Sequence, residues 1–145
     1  MRPQAAGRRS LEFASRVKML SSKMLEPPFT AIAHVQLSMP RGAEDAARLF
    51  YRDLLGMIEV PKPPELADRG GVWFQSGAVQ IHLGTEEDFR PAQKAHPALC
   101  CRDYPALAAR LRERGVPVHD DTSLPGVTRC HIHDCFGNRI EMIAV

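Results

Sequence analysis

The sequence predicts an α+β fold of two βαβββ modules. Three observations predict it. A strand, a helix and three further strands read out twice along the chain. Each helical segment closes on a glycine, Gly56 or Gly115, as expected of a residue in the left-handed position after a helix. And 26 residues separate each glycine from a polar residue set among apolar neighbours in the last strand, His82 in one module and Glu141 in the other.

The elements follow in order. Ala31–Leu37 is a β-rich run and the expected first strand. Ala43–Leu55 is expected to be helical, with Ala46, Leu49, Phe50 and Leu54 on one face at the i, i+3, i+4 spacing. Met57–Pro61, Val72–Gln75 and Ala78–Leu83 are short strands, the last two joined through a tight turn at Ser76-Gly77. The second module repeats this with a strand at Pro97–Cys101 and a helix at Pro105–Arg114, which has proline at its start and glycine after its end. Val116–His119, Thr128–His133 and Arg139–Ala144 are its remaining strands, with Phe136-Gly137-Asn138 turning the chain before the last.

The repeat aligns polar residues. His34 and His96 fall at equivalent first-strand positions, and His82 and Glu141 at equivalent last-strand positions. Each has apolar neighbours, as in Ile81-His82-Leu83 and Ile140-Glu141-Met142. A single histidine in such a strand is more often a satisfied core residue. Four at equivalent positions carry more weight, because buried polar groups must be paired. A carboxylate among imidazoles suits a metal cation, so His34, His96 and Glu141, with His82, are the expected ligands.

Length and charge bound the alternatives. The 145 residues suit one domain. Residues 29–145 are expected to form it, with module 1 at about 29–88 and module 2 at about 95–145. Residues 1–28 hold six basic and two acidic side chains, leaving 13 basic against 15 acidic in the remainder. The basic charge thus belongs to the N-terminal part, and the body lacks the basic patch that nucleic acid requires. No apolar run approaches the roughly 20 residues of a membrane span. Residues 1–28 read as a flexible or peripheral extension. Their Arg-rich, acid-poor composition also resembles a transit peptide, and initiation at Met19 or Met24 is a further reading. Cys100, Cys101, Cys130 and Cys135 include no CxxC pair, so reduced thiols in the cytoplasm are expected.

These features resemble a known family. The segments LFYRDLLGM and RLRERGV at the helix ends, and above all DCFGNRIEMI at Asp134–Ile143, are similar to the vicinal oxygen chelate superfamily. It includes glyoxalase I, methylmalonyl-CoA epimerase, extradiol dioxygenases, fosfomycin-resistance enzymes and bleomycin-binding proteins. The resemblance covers about residues 29–145. Cys135 stands where the family pattern usually has proline. The resemblance implies a glyoxalase-like fold, an eight-stranded, cupped, mixed sheet with the helices outside and a metal inside the cup. The glyoxalase pattern implies His34, His82, His96 and Glu141 as ligands, and the dioxygenase pattern His34, His96 and Glu141 alone. It also implies a homodimer with sites at the module interface.

The resemblance further implies chelation of a small, oxygen-rich substrate by a divalent transition metal (Fe, Zn, Ni, Mn or Co), in lyase, isomerase or dioxygenase chemistry. Glu141 is then a candidate base, with His82 a second because glyoxalases usually carry a carboxylate or carboxamide at its position. His131 resembles a pocket position of the dioxygenase-type members and is read as an acid/base or hydrogen-bonding group. Arg129, Gln36, Gln80 and Trp73 are the expected substrate contacts, Arg129 as an anchor for an anion. Near His119-Asp120 the lysine of the fosfomycin enzymes is missing, which disfavours that reaction. The alternative is a non-catalytic, antibiotic-binding protein of the bleomycin-resistance type.

Overall fold

The structure, a computed structural model, describes residues 27–145. The expected N-terminal extension lies, but for its last two residues, outside the described residues. Ile32–Val145 form one compact unit. Its eight strands lie in two mixed four-stranded sheets. The first module contributes β1 (Val35–Pro40), β2 (Ile58–Val60), β3 (Val72–Ser76) and β4 (Val79–Glu86), ordered β1-β4-β3-β2. The second contributes β5 (Ala98–Cys101), β6 (His119–Asp120), β7 (Arg129–His133) and β8 (Arg139–Ala144), ordered β5-β8-β7-β6. In each sheet the outer first strand runs parallel to the last strand and the others are antiparallel. This is the paired βαβββ arrangement of the glyoxalase-like fold.

Strand limits differ from the sequence reading where pairing decides them. β1 starts at Val35 rather than Ala31 and runs to Pro40, because it follows β4 as far as Glu86. The strand expected at Val116–His119 shrinks to His119–Asp120, the stretch that pairs with β7. A 3-10 helix at Pro64–Arg69, opened by Pro63-Pro64, fills the connection between β2 and β3.

The helix of module 1, α1, starts as Glu44–Ala47 and continues as a π-helix over Arg48–Leu54. The amide of Leu55 bonds the Phe50 carbonyl at 2.9 Å, five residues back. This wider winding changes the buried face. Ala47, Phe50 and Tyr51 are buried, whereas Leu49, expected inside, is 66% exposed. The helix of module 2, α2 (Tyr104–Glu113), buries Tyr104, Ala108 and Leu111 at i, i+4 and i+7. One core serves both modules, from Phe50, Tyr51, Phe74 and Ile81 to Leu111, Ile132, Ile140 and Met142.

The most specific stretch of the resemblance, Asp134 to Asn138, is a structural knot. Asp134 is buried. Its Oδ1 accepts from the amides of Phe136 (2.9 Å) and Asn138 (2.8 Å). Its Oδ2 accepts from the Tyr51 hydroxyl (2.7 Å) and Asn138 Nδ2 (2.8 Å). Asn138 Nδ2 also donates to the Ser38 carbonyl on β1. The β7–β8 turn of module 2 is thereby tied to α1 and β1 of module 1. Burial and the neighbouring carboxylate push the Tyr51 phenol well above its ordinary value, so it remains a donor.

Gly71 opens β3 under a tight restraint. Its φ is +80°, and a Cβ there would collide with the Leu83 carbonyl oxygen of β4. Gly71→Ala should therefore cost at least about 2 kcal/mol of stability, read from urea unfolding midpoints. An unchanged midpoint would show that β3 can move away from β4.

Candidate metal centre

Strand register places the polar residues. In module 1, β4 sets His82 opposite Gln36 on β1 and opposite Trp73 on β3. In module 2, β8 sets Glu141 opposite Ala98 on β5 and opposite His131 on β7. His34 lies two residues before Gln36, and His96 two before Ala98. The modules therefore present equivalent triads: His34, His82 and Trp73 in one, His96, Glu141 and His131 in the other.

The two triads are built differently. In module 1 the three rings stack. His82 lies between Trp73, at a centroid distance of 3.8 Å and 5° from parallel, and His34, at 4.1 Å and 11°. His82 Nε2 meets the Gln80 side-chain oxygen at 3.2 Å. Burial, then the adjacent His34, lowers the His82 pKa below its ordinary value. Trp73 faces these histidines, while its neighbour Phe74 points into the core and stacks on Tyr51.

In module 2 the side chains converge on a point. His96, His131 and Glu141 each bring one ligand atom within 4.8 Å of the others. Among the described residues this is the one group of three or more that could hold an ion. His96 Nε2 is 3.1 Å from Glu141 Oε2, and His131 Nε2 is 3.9 Å from the same oxygen. The structure thus joins His96, His131 and Glu141, and separately His34 with His82. It does not bring the four expected ligands together within one chain.

Donor chemistry at His96 fits a cation. Its Nδ1 lies 2.8 Å from the Lys94 carbonyl, which can only accept, so Nδ1 carries the proton. In the neutral ring, Nε2 then holds a lone pair that faces a carboxylate. Two acceptors at 3.1 Å need a proton or a metal ion between them. Metal bonds of about 2.0–2.2 Å place neighbouring ligand atoms roughly 3–3.5 Å apart. The His96–Glu141 pair already has that spacing, and His131, 3.9 Å from the same oxygen, would move closer. Burial holds the His131 pKa below its ordinary value, which favours the neutral, ligating form. Two imidazoles and a carboxylate suit a transition metal better than magnesium or calcium.

Behind the triad stands a cation of the chain itself. Arg129 Nη1 donates to Glu141 Oε1 at 2.8 Å, and Nη2 to Ser123 Oγ at 2.8 Å while 2.7 Å from Asp121 Oδ2. Its Nε is buried without a partner. Arg129, more than His96, holds the Glu141 carboxyl below the usual range. Arg129, expected as a substrate anchor, is thus engaged with the protein's own carboxylates. His133 is exposed on the same strand, edge-on to His119. Sequence reasoning missed Asp121 and Ser123, whose loop has no periodicity to mark it. An Asp two residues before a Ser, a common side-chain turn, was the available signal.

The Asp121 carboxyl is held down to about 2 by the hydroxyl and amide of Ser123, with Arg129 and His131 adding to the effect. Unfolded, it titrates near 3.9. A depressed carboxylate stabilises the fold above its unfolded pKa and loses that contribution as pH falls through the folded one. Thermal midpoints should therefore drop between about pH 4 and pH 2, and less steeply in Asp121→Asn. Parallel curves for the two proteins would count against this coupling.

The remaining expected contacts flank the triads. Gln36 is exposed, and its Nε2 donates to the Leu37 carbonyl. Among the described residues no helix is long and apolar enough to cross a membrane.

Comparison with known proteins agrees with the fold. No protein-family model and no curated protein matches the chain. Solved structures do. A glyoxalase family protein from Bacillus anthracis is 42% identical, with a TM-score of 0.80, over 83% of this chain and 98% of that one. Lactoylglutathione lyase from Agrobacterium tumefaciens is 25% identical (TM-score 0.63, 81% and 96% covered). TnmS3, an antibiotic binding protein from Streptomyces sp. CB03234, is also 25% identical (TM-score 0.60, 80% and 98% covered). With two βαβββ modules and 42% identity across nearly the whole of one such relative, the chain belongs to the glyoxalase family of the vicinal oxygen chelate superfamily.

Proposed function

We propose that the protein is a metal-dependent enzyme of lyase, isomerase or dioxygenase type, acting on a small, oxygen-rich substrate. The observation that carries this reading is the His96 imidazole, whose Nε2 faces the Glu141 carboxylate at 3.1 Å with His131 alongside. The site would be completed in a homodimer, where His34 and His82 of the partner subunit meet His96 and Glu141. Supporting this, β1 and β5 are each at the edge of their sheet. They line a cleft of about 780 Å³ together with Ile32 and Arg139. Open strand edges call for a cover, and a second copy supplies one.

A divalent transition metal (Fe, Zn, Ni, Mn or Co) bound there supplies Lewis-acid polarisation of the substrate oxygens. The rest falls to the chain. Arg129 keeps Glu141 ionised and aims one oxygen at His96. Where His34 and His82 of the partner subunit complete the ligand set, His131 is left off the metal and can take a proton at its Nε2 from substrate and return it. His82, held flat between two rings with its nitrogens at the edge, acts either as ligand or as second base. Four free cysteines suit a reducing compartment, and we assign the protein to the cytoplasm.

A second reading, small-molecule sequestration, is favoured by one observation: the Trp73–His82–His34 stack offers a planar surface of the kind that binds flat ligands. The likeness to TnmS3 is in line with it. Elemental analysis of the freshly purified, full-length protein separates the two. A transition metal at close to one per chain is the expected result. A protein that remains metal-free after incubation with Fe(II), Ni(II) and Zn(II) would overturn the enzyme reading and favour sequestration.

A further inference from the structure

The Glu141 carboxylate is held from behind by a chain of polar contacts that ends in the loop after β6. Arg129 Nη1 donates to Glu141 Oε1 at 2.8 Å. Arg129 is held in turn by Asp121, whose Oδ2 lies 2.7 Å from Nη2, and by the Ser123 hydroxyl, which accepts from Nη2 at 2.8 Å. Asp121 is itself fixed. Its Oδ1 accepts from the Ser123 amide at 2.9 Å and from the Ser123 hydroxyl at 2.6 Å. Its own amide bonds the Arg129 carbonyl at 3.1 Å.

We infer that Asp121 is a positioning residue of the metal centre: through Arg129 it holds Glu141 to one free oxygen, and so biases the site toward imidazole-preferring ions such as Ni(II) over Mn(II). The inference rests on the metal-dependent reading of that same site. Three observations carry it. First, the two oxygens of Glu141 are divided between two partners, Oε1 on Arg129 and Oε2 facing His96 at 3.1 Å. A carboxylate held in this way cannot chelate one ion through both oxygens, as oxygen-preferring cations favour. Second, Asp121 Oδ2 also lies 3.7 Å from His131 Nδ1. That is longer than a hydrogen bond, but it puts negative charge beside this nitrogen. The proton is favoured there, and Nε2 is left to accept on the side of Glu141. Third, the arrangement is built in one module only. His131 and Trp73 hold equivalent positions opposite Glu141 and His82, and His119 and Val60 are equivalent one strand further out. Two residues before Trp73, where Arg129 stands in module 2, is Gly71, and two after Val60, where Asp121 stands, is Lys62. The module that carries His82 has neither the arginine nor the acid; the module that carries the carboxylate has both. Arg129 Nε is buried without a partner. A buried donor left unmet costs stability, so the guanidinium is placed by what its two outer nitrogens hold.

Metal binding to the full-length protein tests this. Ni(II) and Mn(II) affinities are measured by equilibrium dialysis. Co(II) serves as a spectroscopic probe, because its visible bands weaken as its coordination number rises. In Asp121→Ala the Ni(II) affinity is expected to fall about tenfold, as for loss of an outer partner of a metal ligand, and the Mn(II) affinity by no more than about threefold. Its Co(II) bands should be weaker than those of the wild type. Asp120→Asn is the control: it breaks the ion pair from the neighbouring residue to Arg112 on α2 and should leave both affinities and the Co(II) spectrum unchanged. Circular dichroism checks that the variants are folded. Should Asp121→Ala not fold, the isosteric Asp121→Asn decides by the same criteria. Equal losses for Ni(II) and Mn(II) would show a general effect of charge and overturn the inference. So would an unchanged Co(II) spectrum, or the same losses in Asp120→Asn. A wild-type protein that binds none of the three ions would remove the metal reading and this inference with it. A wild-type protein that binds them, matched by Asp121→Ala, would remove the inference alone.

Discussion

Asp134→Ala is expected to lower the stability of the protein by about 3–5 kcal/mol, as for the loss of one partner of a buried charged network. The carboxylate accepts four hydrogen bonds, two from amides of its own turn and two from Tyr51 and Asn138. Removing it strands four donors in a place water does not reach. The damage extends beyond the turn, since Tyr51 anchors α1 and Asn138 bonds β1. Urea unfolding measures the change. Tyr51→Phe should cost less, about 1.5–3 kcal/mol, because it removes one bond to a charged acceptor. If Asp134→Ala unfolded at the wild-type midpoint while its metal content fell, the residue would belong to the site rather than to the scaffold.

The second large effect concerns the metal. Glu141→Ala and His96→Ala should each reduce the metal content from near one per chain to a trace. His34→Ala should do the same, although His34 stands with His82 and Trp73 and away from the His96 cluster within the chain. The proposed cross-subunit arrangement predicts a particular complementation. When differently tagged His34→Ala and Glu141→Ala chains are co-expressed and the mixed dimer is isolated, one site combines both lesions and the other has none. The mixed dimer should hold one metal ion. A mixed dimer without metal would place each complete site inside a single chain. Full retention of metal by His34→Ala would reduce the protein's ligand set to the His96, His131 and Glu141 cluster.

Much of the fold was legible because its cues are local. Gly77 and Gly137 mark turns where φ is positive, and α2 matches its expected limits within a residue because Pro105 and Gly115 punctuate it. Leu49 shows where local reading ends. Its spacing suits an α-helix, but the π-helical winding turns it to solvent and buries Tyr51 in its place. That winding goes with the hydrogen bond from Tyr51 to a carboxylate 83 residues away, which no window of the sequence contains.

The candidate site divides in the same way. The sequence by itself determined that His34 and His96, and likewise His82 and Glu141, are equivalent: residue counts within a βαβββ unit set strand register, and register is what the ladders show. What only the tertiary structure decided is which of these side chains share a point in space. His131 joins His96 and Glu141 because β7 pairs with β8, while the same position in module 1 is Trp73, which stacks instead of converging. Equivalence follows from periodicity along the chain. Convergence depends on how separate strands face one another, and in this protein the two modules resolve one pattern into a three-ring stack on one side and a cluster of metal-competent ligands on the other.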